Sequence, residues 1–208
     1  MQVKVYTIGP LNTNCYVVVD GDEAVIIDPG GDPQEVISSI QGKKVKAIVA
    51  THGHFDHVLG VNEIKKRVSA PFLLNGRDLD LLKASSKMAE TFGIKIEKII
   101  EPDLFISEGD TIVIGRRELR VIETPGHTMG SCCLLGKEEI FTGDTLFANT
   151  IGRTDLGGSK EAMFRSLERI KALDDNLVVY PGHGNSTILG YEKETNPFLN
   201  GEITQDDI

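Results

Sequence analysis

The chain has 208 residues, 40% of them hydrophobic and 25% charged, the composition of an ordinary globular protein large enough to bury a core without disulfide staples. No apolar run approaches the ~18 residues of a membrane span, so no membrane association is expected. Against 31 acidic residues stand 22 scattered basic ones, a formal charge of -9; without a cationic stripe, no nucleic-acid partner is expected.

Of the three cysteines, Cys132 and Cys133 are adjacent and would leave a strand on opposite faces, and Cys15 lies far away in sequence. No disulfide framework follows. Free thiols, together with a Met1 to Pro10 stretch that holds one lysine and no apolar run, set the expectation of a cytoplasmic protein.

In chain order, short β-rich runs occur at Val3 to Ile8, Cys15 to Val19, Ala24 to Asp28, Val45 to Ala50 and Pro71 to Leu74. Others follow at Thr111 to Ile114, Leu119 to Ile122, Cys132 to Leu135, Ile140 to Thr142 and Leu177 to Tyr180. A helix is expected to open at Asp32, with Pro33 in its first position and Glu35 completing a capping box. Val61, Ile64 and Val68 suggest a second helix, and Met163, Leu167 and Ile170 mark a third from about Ser159 to Leu173. Strands alternating with helices read as an α/β or α+β fold with layered sheets. No repeat or linker interrupts the chain, so one domain over residues 1–208 is expected, with a frayed tail at Gly201 to Ile208.

The five histidines carry the functional argument. Three sit in Thr51-His52-Gly53-His54-Phe55-Asp56-His57, directly after the apolar run Ala47 to Ala50, where a strand end opens into a loop. The other two follow Pro-Gly turns, Pro125-Gly126-His127 and Pro181-Gly182-His183, and a carboxylate stands alike in Thr142-Gly143-Asp144. Four strand ends thus deliver imidazoles and carboxylates, the donors that suit Zn, Fe or Mn and that would be costly to bury unpaired. Seven candidate ligands, His52, His54, Asp56, His57, His127, Asp144 and His183, exceed one tetrahedral ion. They suit two divalent ions that leave room for a water, as in a catalytic site.

His-x-His-x-Asp-His followed by a lone His, an Asp and a final His resembles the metallo-β-lactamase superfamily. The resemblance covers nearly the whole chain and implies a four-layer αββα sandwich, two mixed β-sheets flanked by helices, with the metal site at one edge. It implies that His52, His54 and His127 hold one ion, that Asp56, His57 and His183 hold the second, and that Asp144 bridges them. Zinc is the first expectation for both, with iron or manganese as alternatives. The implied nucleophile is a metal-bridging hydroxide that Asp56 orients.

Within the superfamily, Thr124 to Ser131, Thr142 to Phe147 and the ending Glu194-Thr195-Asn196-Pro197-Phe198-Leu199 look like the glyoxalase II group, which hydrolyses hydroxyacyl-glutathione thioesters. Only 25 residues follow His183, where full-length glyoxalase II has a glutathione-gripping helical extension, so the carrier thiol stays open. The expected partner is a small-molecule thioester, and the sequence leaves the oligomeric state open. Ile151-Gly152-Arg153-Thr154-Asp155-Leu156 is also similar to persulfide dioxygenases, which use one iron. That activity is the first alternative, and a metal-binding or redox module without turnover is the second.

Asp28, in a turn of Asp-Pro-Gly-Gly, is a candidate acceptor for the second N–H of a metal-bound imidazole, with Thr51 and Thr142 behind it. Phe55, Phe147 and Arg153 are candidate substrate contacts, although Arg153 also reads as an ion pair with Asp155. Cys132 and Cys133 are not expected to act as nucleophiles, because every histidine is committed elsewhere.

Overall fold

A computed structural model of the chain describes residues 1–207. The first sheet contains β1 (Gln2–Ile8), β2 (Thr13–Asp20), β3 (Glu23–Ile27), β4 (Lys44–Val49), β5 (Phe72–Asn75) and β6 (Leu104–Ile106), in that order. Its first three strands run antiparallel and the rest add in parallel. The second sheet uses β7 (Thr111–Ile114), β8 (Arg117–Glu123), β9 (Cys132–Leu135) and β10 (Glu139–Gly143). A small ribbon of β11 (Leu146–Phe147) and β12 (Thr150–Ile151) precedes β13 (Val178–Pro181) and β14 (Thr187–Ile188), which join the second sheet in the order β14-β13-β10-β9-β8-β7.

Alternation along the strands creates the layers. In β2, Tyr16 and Val18 point into a core shared with Leu119, Val121 and Phe141 of the second sheet, while Cys15, Val17 and Val19 point the other way. That outer face is covered by α1 (Gln34–Ser39), α2 (Phe55–Val58), α3 (Val61–Arg67) and α4 (Leu79–Thr91), through residues such as Val36, Val58, Ile64 and Leu82. The outer face of the second sheet is covered by α5 (Lys160–Lys171), α6 (Leu189–Thr195) and α7 (Pro197–Asn200), through Met163, Leu167, Leu189 and Leu199. The result is the αββα sandwich. Cys132 belongs to the inter-sheet core and its neighbour Cys133 to the outer one, and all three cysteines are buried free thiols. No helix among the described residues is long and apolar enough to cross a membrane.

Local details depart from the sequence-based expectations. The Asp32 carboxylate accepts from Gln34 N at 3.1 Å, and the first helical bond runs from Ile37 N to Pro33 O. The helix therefore starts a residue late, without a reciprocal capping box. Val68 is extended and ends α3, and α4 lies where no helix was expected. The tail is not frayed up to Asp207: Ile203 N donates to Pro197 O, and Thr204 and Asp207 close a turn, while Ile208 lies outside the described residues.

Candidate metal centre

All the motif residues gather where the two sheets meet, just past the C-terminal ends of β4, β8, β10 and β13. The end of β4 is pinned from both sides. Thr51 N donates to Asp28 Oδ1 at 2.7 Å, and Cys132 N donates to Thr51 O at 2.9 Å. Asp28 sits in the left-handed region, φ 51°, which aspartate tolerates better than most residues. From the other side, Asn14 N donates to Gly182 O at 2.8 Å, and the Tyr16 hydroxyl donates to Pro181 O at 2.6 Å. The turn before His183 is thereby tied to the first sheet. Gly182 is required there, since a Cβ would stand 2.1 Å from Asp144 Oδ1.

Hydrogen bonds at the far side of the His52 and His127 rings set their tautomers. The Thr51 hydroxyl donates to Asp28 Oδ2 at 2.8 Å, so toward His52 Nδ1, 3.1 Å away, it can only accept. That leaves a bare lone pair on His52 Nε2. The Arg153 carbonyl oxygen accepts from His127 Nδ1 at 2.7 Å and has the same effect on His127 Nε2. Asp28 Oδ2 lies 3.0 Å from His57 Nδ1, off the hydrogen-bond line but close enough to hold a proton on that nitrogen.

Inside, the donors crowd together. His54 Nδ1 and His127 Nε2 are 2.8 Å apart. His57 Nε2 lies 3.5 Å from Asp56 Oδ2 and 3.4 Å from Asp144 Oδ1, and His183 Nε2 lies 3.3 Å from Asp56 Oδ2. Ligand atoms of His52, His54 and His127 lie within 4.8 Å of one another; so do those of Asp56, His57 and His183, and those of His52, His57 and Asp144. The structure therefore brings together all seven candidates, in the two trios that the resemblance implies.

The donor set fits a cation. His52 Nε2, His57 Nε2 and Asp144 Oδ1 are buried without a hydrogen-bond partner among the described residues, a costly arrangement unless something positive lies between them. The electrostatics agree. Burial, reinforced by the neighbouring histidines, holds His52 well below the usual imidazole range and pulls His54 down to about 4. Burial also opposes a charge on His57, yet Asp144, Asp56 and Asp28 around it push its pKa well above the ordinary value. Burial alone would raise Asp144 and Asp56, but His57 and the other imidazoles hold both carboxyls below their usual range. The carboxylates call for positive charge at the point the lone pairs face.

The remaining candidates separate. Thr51 and Asp28 back the imidazoles as described. Thr142 does not: its hydroxyl donates to Leu146 O at 2.7 Å and shapes the turn that carries Asp144. Phe55 is buried and helps wall a cavity of about 190 Å³ that opens onto His54, Asp56, His127, Asp144 and His183. Arg153 lines the same cavity while making a two-pronged, exposed ion pair with Asp155 at 2.6 Å. Phe147 stands beside His183, ring centroids 6.1 Å apart.

Two polar residues escaped the sequence reading. The Thr13 hydroxyl donates to Asp56 Oδ2 at 3.0 Å. Asp78, buried at the N-terminus of α4, accepts from Gly53 N at 2.9 Å, from the Thr128 hydroxyl at 2.6 Å and from Gly130 N at 2.7 Å. It thus clasps the loop between His52 and His54 to the loop after His127. Gly130 is glycine because a Cβ there would stand 2.6 Å from Asp78 Oδ1.

Comparison with known proteins points the same way. An uncharacterized protein of Aquifex aeolicus is 39% identical over 98% of this chain and 99% of its own. A hydroxyacylglutathione hydrolase of Haemophilus influenzae is 31% identical over 97% of this chain and 100% of its own. Among solved structures, the BLEG-1 B3 metallo-beta-lactamase superposes with a TM-score of 0.89 at 34% identity, covering 96% of this chain and 100% of that one. TTHA1623 in a di-iron-bound form does so with 0.87 at 37% identity, covering 94% and 100%. The profile of the metallo-beta-lactamase superfamily matches residues 8–183, and with the αββα layers and the five-histidine cluster already in place, the chain belongs to that superfamily.

Proposed function

We propose that this protein is a metal-dependent thioester hydrolase of the glyoxalase II type. The observation that carries the reading is the convergence of partnerless, buried imidazole and carboxylate atoms at the floor of an open cavity. His52, His54 and His127 would hold one divalent ion, Asp56, His57 and His183 a second, and Asp144 would lie between them; zinc is favoured, with iron or manganese as alternatives. Ions bound there would supply a water acidified from about 15.7 to near 7 and a Lewis acid for the thioester carbonyl.

The chain's own residues do the rest. Asp28, Thr51 and the Arg153 carbonyl fix the far nitrogens of the imidazoles, so the near nitrogens keep their lone pairs. Asp56, fixed by the Thr13 hydroxyl, is placed to accept a proton hydrogen bond from an attacking water. Phe55, Leu11 and Leu156 wall the cavity with apolar surface that keeps bulk water from the carbonyl. The kinship with the Haemophilus hydrolase supports the thioester class.

The decisive experiment combines elemental analysis of the purified protein with lactoyl-glutathione hydrolysis and an oxygen-electrode trace on glutathione persulfide. Two metals per chain and hydrolysis without oxygen uptake are expected. Oxygen consumption with one iron would replace this reading by persulfide oxygenation, the second candidate on the resemblance of Ile151 to Leu156 to persulfide dioxygenases. Bound metal without any turnover would leave a binding module.

A further inference from the structure

The α4 helix carries two stripes. Leu82, Ser85 and Ala89 are buried on the inner face. Ala84, Met88 and Thr91, at the same helical spacing on another face, line a second cavity of about 500 Å³ together with Phe92, Lys87 and Leu156. This outer cavity shares Met88, Phe92, Arg153 and Leu156 with the cavity over the metal ligands. The two therefore form one cleft that starts at the metal centre and runs along α4. Phe92 is 51% exposed and its ring lies 5.4 Å from that of buried Phe55, so an aromatic edge continues from the cleft floor to its mouth.

We propose that this cleft holds the acyl arm of the substrate, and that the arm is an apolar chain or ring of several carbons rather than a small hydroxyacyl group. The inference rests on the thioester reading. A thioester whose carbonyl sits at the metal ligands can run one of its two arms into this cleft, which adjoins the ligand-lined cavity at Met88, Phe92, Arg153 and Leu156. The thiol carriers are rich in amides and charges, which would lie unpaired against Met88, Phe92, Ala84 and Leu156. Of the two cations on the cleft, Arg153 is already engaged by Asp155, which leaves Lys87 at the rim as a poor match for the several charges of a glutathionyl arm. An apolar acyl arm leaves nothing unpaired, and the combined space is within the range of ordinary small-ligand sites, roughly 300–1,000 Å³.

The test uses the metal-loaded full chain and S-acyl-N-acetylcysteamine thioesters from acetyl through butanoyl and hexanoyl to octanoyl, with lactoyl-glutathione alongside. kcat/KM is expected to climb by up to about fourfold per methylene, the fold-change that ~0.8 kcal/mol per buried CH2 gives. In Phe92→Ser and Met88→Ser the octanoyl-to-acetyl ratio is expected to fall at least about tenfold. Leu156→Ser serves as a third variant should either of these fail to fold. A flat chain-length profile, or lactoyl-glutathione preferred over every longer acyl chain, overturns the inference while leaving the hydrolase reading in place. No hydrolysis of any thioester by protein that carries its metals overturns both.

Discussion

The Thr128 hydroxyl donates to Asp78 Oδ2 at 2.6 Å, and through this carboxylate two loops that share no sequence motif become one rigid frame. Gly53 N on the first histidine loop and Gly130 N on the second donate to the same carboxyl group. Asp78→Ala would leave both amides buried without a partner, at about 1–3 kcal/mol each. We expect a marked fall in Tm and weaker metal retention under chelator competition, with Asp78→Asn intermediate because it keeps one acceptor oxygen. Unchanged metal retention in a folded Asp78→Ala protein would contradict the clasp.

Asp144 is the carboxylate that both trios face. Replacing it by alanine is expected to reduce bound metal to about one ion per chain and to lower hydrolysis more than about a hundredfold. Elemental analysis and steady-state kinetics on the same sample check this. Full activity with two metals retained would refute the assignment.

Removing the metals exposes the frustration of the site. With partnerless imidazoles and three carboxylates around His57, the stripped protein is expected to unfold at a lower temperature than the loaded one, and metal added back should restore the difference. Thermal scans with and without chelator, followed by zinc, iron or manganese, measure the recovery and rank the three.

Asp28 supports two elements of the centre, the Thr51 amide and hydroxyl and the His57 ring. Asp28→Asn keeps the left-handed backbone accessible but loses the charge that holds the His57 proton. A drop of about 10–100-fold in metal affinity or kcat is expected, with little loss of fold. Circular dichroism beside a metal titration separates the two effects.

The thiols give an independent check on the layers. Burial pushes the Cys133 thiol up to about 11 and the Cys15 and Cys132 thiols well above their usual value. Only the thiolate reacts, so at pH 8 native protein should resist Ellman's reagent, and denatured protein should titrate three thiols. Rapid labelling of native protein would mean that at least one of the three cores holding these thiols is open.

Much of this architecture is readable along the chain, for reasons that particular residues make plain. Every expected β run lies within or overlaps an observed strand, because sheets covered on both sides select continuous apolar runs such as Ala47 to Ala50. The strands β6, β11, β12 and β14 span three residues or fewer, too short for a period to register. The seven clustered donors were legible because histidine is scarce and its spacing dense. Asp78 and Thr13 were not, since their partners lie 50 and 43 positions away in sequence and no local pattern marks them.

The backbone bridge between Thr13 and His183 joins an early strand to the last of the ligand loops. Such long-range closure forms slowly and late. A chain still emerging from the ribosome can present His52, His54, Asp56 and His57, but the first trio waits for His127 and the second for His183. Convergence of the two trios therefore reports that both sheets have docked, because neither can assemble from one sheet's loops alone.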